Sequence, residues 1–333
     1  MNNHHLSPAG YEAELLKAKQ FVESRDRFLV VSHVHPDGDA VSSTLAVGWL
    51  LHRLGKTFAM ANADPVPRKF ADLWRSGTIV RPSSTTDFAR YEHIIAVDCA
   101  EYSRIGCVRD CFAENRVLLN IDHHATNDRY GDVNLVNAQS GATVEIIYDL
   151  IKKFDVQWDR DIASLIYTGL LTDTGGFRYA NTSPKVFSVA AEMLNYGVEA
   201  SHLAEKYLEQ MSYPQFALLQ RALPGLSFTP DRRIAWLTIT RQDMTDTGAR
   251  NEDTEGLVNY PRNIEGVEVG ILFKEIAEEE IKVSLRSSGR ADAALIAKSF
   301  GGGGHARAAG YSLYCRLSEA VERTIKEVGM VLR

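Results

Sequence analysis

A chain of 333 residues is too long for one small core and, at roughly 150 residues per domain, predicts about two domains. Hydrophobic residues at 45% and charged residues at 24% put it with ordinary globular proteins and exclude the disordered, collagenous and disulfide-scaffold classes. The net charge of -6 argues against a surface built for duplex DNA, because non-specific duplex affinity comes mostly from Lys and Arg neutralising phosphates.

The first eleven residues are polar, include His4 and His5, and hold no apolar core of a signal peptide. No stretch approaches the roughly 18 uninterrupted apolar residues of a membrane span. Cys99, Cys107, Cys111 and Cys315 form no CxxC pair, and Cys107 with Cys111 lacks the second pair that a zinc site needs. Free thiols and a cytoplasmic location are therefore expected. Residues 27–196 alternate short apolar runs with amphipathic stretches, the βαβ rhythm of an α/β domain with a parallel sheet. Strands are predicted at 28–31, 94–97 and 117–121, and helices at 40–54 (stopped at Gly55), 142–154, 161–171 and 185–194. From 198 to 223 the chain reads as polar helix, and Pro214 and Pro224-Gly225 mark a linker at 213–225. Beyond it, strands at 233–240, 267–275, 281–286 and 311–314 and helices at 291–300 and 318–330 predict a smaller α+β domain. The alternation of Val267, Val269 and Ile271, and of Ile281, Val283 and Leu285, predicts a sheet with one covered face, and Glu278-Glu279-Glu280 a hairpin turn. The predicted domains are 1–212 and 226–333.

Chemistry concentrates in four acidic segments: His33-Val34-His35-Pro36-Asp37-Gly38-Asp39, Val97-Asp98-Cys99, Asp122-His123-His124 and Leu171-Thr172-Asp173-Thr174-Gly175. The first three follow predicted strands, so they fall at the carboxyl edge of the sheet, where α/β proteins bind ligands. Carboxylates converging there without cations would repel one another, which makes a metal cluster the natural reading. His33, Asp37 and Asp39 leave one turn, and a carboxylate from a neighbouring strand, Asp98, can bridge cations roughly 3.5 to 4 Å apart. Mixed imidazole and carboxylate donors favour two Mn2+ ions over Ca2+ or Mg2+, with Zn2+, Co2+ or Fe2+ also admissible. His35 is given no ligand role. Tyr179 and Phe177, close to the acidic cluster, are candidates to touch substrate, while Trp49, Trp74, Trp158 and Trp236 read as packing residues. Asn181-Thr182-Ser183 matches a glycosylation pattern but reads as ordinary polar loop.

The four segments, in this order and spacing, resemble the DHH phosphoesterase family, named for its Asp-His-His triplet. Gly301-Gly302-Gly303-Gly304-His305-Ala306-Arg307-Ala308-Ala309-Gly310 resembles the glycine-rich signature of the DHH-associated domain, and the run 173–184 is most similar to the NrnA-like branch. The resemblance implies that His33, Asp37 and Asp98 hold one metal and that Asp39, Asp98, His123 and Asp173 hold the second. It places Asp122 behind them and His124 on the substrate phosphate. Adjacent side chains of an extended segment point to opposite sides, so His123 and His124 should have separate tasks. Arg286, Ser287 and Ser288, with Gly303, Gly304 and His305, would hold the nucleotide, in a cleft between the domains; Arg307 would add reach, and Asn259 with Arg262 is a weaker candidate.

The activity implied is hydrolysis of short RNA (nanoRNA and dinucleotides) and of the 3′-phosphate of adenosine 3′,5′-bisphosphate, with a metal-activated water as nucleophile. Rival readings are a cyclic or linear dinucleotide phosphodiesterase, an inorganic pyrophosphatase, which would not need the glycine-rich segment, and a catalytically silent nucleotide- or RNA-binding protein. A homodimer is compatible with the sequence, which leaves oligomeric state open.

Overall fold

The computed structural model of the chain describes residues 7–83, 86–288 and 291–332, with the side chain of His305 left aside. It divides into two compact units, Met1–Gln210 and Met211–Arg333. No helix among the described residues is long and apolar enough to cross a membrane.

The first unit opens with a helix the sequence reading did not foresee, α1 (Pro8–Glu23), capped by Ser7, whose hydroxyl accepts from the Gly10 amide. Then come β1 (Phe28–Val31), α2 (Gly38–Arg53), β2 (Phe58–Ala61), β3 (Ile79–Val80), β4 (His93–Val97), β5 (Val117–Asp122), β6 (Val133–Val136), α3 (Thr143–Ile151), α4 (Arg160–Asp173), α5 (Pro184–Leu194) and α6 (Ala200–Ala204). The six strands are all parallel, in the order β3-β2-β1-β4-β5-β6. Alternate residues of one strand feed different cores. Val30, Ile95, Val97, Leu119 and Ile121 pack under α1 to α5, while Leu29, Val31, Ile94, Ala96 and Leu118 pack on the other face against Phe88, Ile105 and Val108. Burial on both faces is why these strands read as continuous apolar runs. Strand order reverses between β1 and β4, and the crevice beyond their carboxyl ends is a topological switch point, the usual ligand position in such sheets.

The second unit comprises α7 (Tyr213–Ala222), β7 (Ser227–Phe228), β8 (Ile234–Ile239), α8 (Arg241–Thr247), α9 (Asn259–Arg262), β9 (Val269–Ala277), β10 (Glu280–Ser287), α10 (Ala293–Ser299), β11 (Gly303–His305), β12 (Ala308–Leu313) and α11 (Leu317–Val331). Its mixed sheet runs β11-β12-β10-β9-β8-β7, with only β8 and β9 parallel. Two sequence expectations change here. The stretch expected to be a linker folds as α7 and a short turn, and Leu218, Leu219 and Ala222 pack against Leu237, Ile239 and Leu272. That packing also covers the second face of β8 and β9, whereas β10 alternates strictly between buried and half-buried positions. The single covered face therefore holds for β10 and not for the whole sheet.

Candidate metal centre

Each acidic segment is delivered by the end of a regular element. His33 lies just past β1, Asp37 caps α2, Asp39 sits in the first turn of α2, Asp98 follows β4, Asp122 ends β5 with His123 and His124 next, and Asp173 ends α4. Among the described residues, the donor atoms of His33, Asp37 and Asp98 lie within 4.8 Å of one another, and so do those of Asp39, His123 and Asp173. Asp98 stands between the two groups. Its Oδ2 is 3.4 Å from His33 Nε2, and its Oδ1 is 3.7 Å from His123 Nε2. His123 Nε2 is in turn 3.6 Å from Asp173 Oδ2.

Local geometry fixes these atoms. Asp37 splits its carboxylate: Oδ1 accepts the Asp39 and Ala40 amides at 3.1 Å, while Oδ2 faces His33 Nε2 at 3.9 Å. Gly38 follows at the start of α2 because a Cβ there would lie 2.3 Å from the Thr172 hydroxyl of α4, so the helices meet only without a side chain. Asp98 adopts φ 51°, a left-handed conformation that aspartate tolerates better than most residues, while its amide still donates to Ile121 in the strand ladder.

The imidazoles are set for metal ligation. His33 Nδ1 lies 2.7 Å from the Val34 carbonyl and His123 Nδ1 3.2 Å from the Ser140 carbonyl. A carbonyl can only accept, so each Nδ1 carries a proton and each Nε2 faces the cluster, where it can ligate a cation once it holds no proton, as histidine ligands commonly do. His124 differs. Its Nδ1 donates to Asp122 Oδ1 at 2.8 Å, and Asn127 donates to the other Asp122 oxygen at 2.6 Å. The expectation that His123 and His124 point to opposite sides fails: their rings lie 4.7 Å apart and both approach Asp98 Oδ1. Both residues lie beyond the end of β5 at Asp122, where the chain turns and the Asn127 amide donates to the His124 carbonyl. The two rings differ in what holds Nδ1, the Asp122 carboxylate for His124 and the Ser140 carbonyl for His123.

Electrostatics makes the same case. Burial, then the charges of Asp98 and Asp173, push Asp39 well above the usual carboxylate range, and burial with Asp37 and Asp98 does the same to Asp173. Burial would also raise Asp98, but the His33 hydrogen bond and the charges of His124 and His33 outweigh it and hold Asp98 low. Burial disfavours the charged forms of His33 and His123, yet neighbouring carboxylates raise both. A buried set of this kind calls for positive counter-charge, and its nitrogen and oxygen donors fit divalent transition metals.

Three supporting residues escaped the sequence reading. Thr143 begins α3; its amide and that of Val144 bind the two oxygens of Asp39 at 2.6 and 3.1 Å, and its hydroxyl donates to Asp98 Oδ1 at 3.0 Å. Asn127 orients Asp122. Asn181, read as ordinary polar loop, donates to Asp173 Oδ2 at 3.3 Å and to the Gly141 carbonyl at 2.8 Å. His35 pairs with Asp64, its Nδ1 3.2 Å from Oδ2, away from the cluster. Phe177 packs against Tyr167 and Phe187, whereas Tyr179 is exposed. In the second unit, Arg286 is the next-to-last residue of β10, opposite Ala308, with Nη1 donating to the Leu285 carbonyl. The Ser287 and Ser288 hydroxyls donate to the carbonyls of Ala306 and Val267. Gly303 and Gly304 form a strand paired with Gly310 and Ala309 in place of an open anion-binding loop. The His305 side chain, like His4 and His5, lies outside the described residues. Arg307 donates to the Ala291 carbonyl, and Arg262 lies beneath Gly270 with Nη1 on Asn263.

A parallel sheet with an acidic and imidazole cluster at its switch point, followed by a smaller α+β domain, defines a two-domain phosphoesterase. The description "DHH family, N-terminal domain" matches residues 27–170, and "DHHA1 domain" matches residues 234–333. The chain is 37% identical over 318 residues, 95% of its length and 92% of the relative's, to the bifunctional oligoribonuclease and PAP phosphatase NrnA of Thermus thermophilus. It is 28% identical over 301 residues, 87% of this chain and 90% of the relative, to the protein of the same name from Bacillus subtilis. A crystal structure of an exopolyphosphatase-related protein from Bacteroides fragilis superposes with a TM-score of 0.87 at 26% identity, covering 97% of this chain and 98% of that one. The chain belongs to the DHH phosphoesterase family, whose members are hydrolases acting on phosphoester bonds.

Proposed function

We propose that the protein is a manganese-dependent phosphoesterase that degrades very short RNA and removes the 3′-phosphate of adenosine 3′,5′-bisphosphate. The observation that carries this reading is Asp98, whose two oxygens face two separate donor groups. In this reading His33, Asp37 and Asp98 hold one cation, and Asp39, Asp98, His123 and Asp173 hold the other. Two divalent cations so placed supply a water of lowered pKa and neutralise charge on the phosphoryl oxygens. The chain's own residues do the rest. Asp122 fixes His124 with the proton on Nδ1, and the raised pKa of that imidazole, where Asp122 outweighs burial, suits it to donate to a phosphoryl oxygen. Arg286, Ser287, Ser288 and the segment Gly303, Gly304 and His305 recognise the nucleotide. The names of the relatives from Thermus thermophilus and Bacillus subtilis support this substrate class.

The test is a hydrolysis screen with manganese present, across dinucleotides, longer RNA, adenosine 3′,5′-bisphosphate, cyclic dinucleotides and pyrophosphate. Dinucleotides and the bisphosphate should be turned over fastest. Preference for cyclic dinucleotides would make the protein a cyclic dinucleotide phosphodiesterase, and no turnover of any phosphoester would leave a nucleotide-binding protein.

A further inference from the structure

Residues 174–180 leave the candidate metal centre and return to it. Asp173 stands at one end of this excursion, and at the other the Asn181 amide donates back to the Asp173 carbonyl at 3.2 Å and to its Oδ2 at 3.3 Å. Between them Gly175, Gly176 and Phe177 adopt φ of 58°, 73° and 63°, three left-handed residues in succession. A bulky side chain is strained in that region and persists only where its surroundings hold it.

The bracing is visible. The Phe177 ring stacks on Phe187 at 5.6 Å and meets the edge of Tyr167 at 5.8 Å, and its amide donates to Thr174 Oγ1 at 3.0 Å. The amides of Arg178 and Tyr179 both donate to the Thr174 carbonyl at 3.0 Å. The Tyr179 ring lies so close over Gly175 that a Cβ there would come within 2.3 Å of it. Phe177 is half-buried against Tyr167 and Phe187, while Arg178 and Tyr179 are exposed. Arg178 Nε donates to the Gly175 carbonyl at 2.5 Å, which fixes the guanidinium plane, and no carboxylate among the described residues pairs with it. Arg178 lies five residues beyond Asp173, on a loop whose two ends meet at the candidate centre, and a guanidinium without a carboxylate partner is suited to bidentate recognition of phosphate.

Resting on the phosphoesterase reading above, we propose that Arg178 determines specificity by binding a second phosphate of the substrate, the terminal phosphomonoester that is not attacked. The loop decides which phosphate it serves. Asp173 is at the base of the loop with the metal-ligating atoms, whereas Arg178 is at its tip, so the scissile group belongs to the former and a distal phosphate to the latter.

The test uses the manganese-loaded full-length protein and two substrates that differ only in the 5′-phosphate, adenosine 3′,5′-bisphosphate and adenosine 3′-monophosphate. Arg178→Ala should raise KM for the bisphosphate roughly tenfold or more, as loss of a charged hydrogen-bond partner does. KM and kcat for the monophosphate, manganese content and Tm should stay unchanged, and Arg178→Lys should restore only part of the loss. Parallel loss on both substrates, or a fall in Tm or manganese content, overturns the proposal and makes Arg178 a staple of the loop. If the wild type hydrolyses neither substrate, the phosphoesterase reading fails by itself. Calorimetric titration of wild type and Arg178→Ala with the bisphosphate, with calcium in place of manganese, then decides the Arg178 contact: weaker binding by the variant upholds it, and equal binding overturns it.

Discussion

Asp98 turns through a left-handed conformation at the end of β4 and offers one oxygen to His33 and the other to His123. Among the described residues no second carboxylate faces both groups, so Asp98→Ala should abolish turnover and lower metal content below two ions per chain. Elemental analysis that still finds two tightly bound ions in the variant would refute the bridging role. His124 is a different case, since Asp122 engages its Nδ1. His124→Ala should keep near-full metal content and lose about 10²- to 10³-fold in kcat, the usual cost of removing a donor that stabilises a developing charge. Loss of a metal in that variant would place His124 among the ligands. That His33, Asp37, Asp39, Asp98, His123 and Asp173 gather in one place was legible in the sequence, because carboxylates and imidazoles at strand ends are unusual and come in a known order. Thr143, Asn127 and Asn181 were not, because each is an ordinary residue that acquires a role only when the fold carries it to a partner. Thr143 and Asp39, for example, meet across 104 positions of chain.

Element boundaries were readable where apolar runs and caps coincide. The helix expected at 40–54 is α2 (Gly38–Arg53), and that expected at 185–194 is α5 (Pro184–Leu194) with Ser183 as its cap. The segment expected to be a linker misled because only Leu218, Leu219 and Ala222 of α7 are buried, and the apolar residues they cover come from β8 and β9. Helix α3 shows most directly how an element serves the site. Its first two free amides point at Asp39, so a helix N-terminus holds the carboxylate while the Thr143 hydroxyl holds Asp98. Thr143→Val preserves shape and the backbone bonds but deletes the hydroxyl. It should weaken metal binding or activity by about 10- to 100-fold, the range found when groups orienting metal ligands are removed, and Thr143→Ser should recover most of it. Titration of manganese into both variants reads this out; equal affinity in Thr143→Val and wild type would show the hydroxyl to be dispensable.

At the scale of the molecule, every candidate ligand lies in the first unit, between His33 and Asp173, and the candidate nucleotide contacts taken from the family resemblance lie in the second. The net charge of -6 suits a small, multiply charged ligand held by a few cations better than a long strand, which needs an extended basic and aromatic track. At equal concentrations of ends, labelled dinucleotides should therefore be cleaved faster than long single-stranded RNA, and the reverse order would show that such a track exists. Division of labour between the units has its own test. Arg286 lies next to the end of β10 beside β12, where a planar fork could grip phosphate in a way that lysine cannot reproduce, and His305 closes β11 at the edge of the same sheet. Arg286→Ala or His305→Ala should raise KM for dinucleotides and adenosine 3′,5′-bisphosphate by roughly 10- to 100-fold, the equivalent of one or two charge-assisted hydrogen bonds. Manganese content should stay intact, and hydrolysis of a small activated phosphodiester, which has no nucleotide to lose, should be spared. The ratio of the two activities discriminates. If both fall in parallel, these residues act on the catalytic centre or on folding, and recognition of the nucleotide does not reside in the second domain.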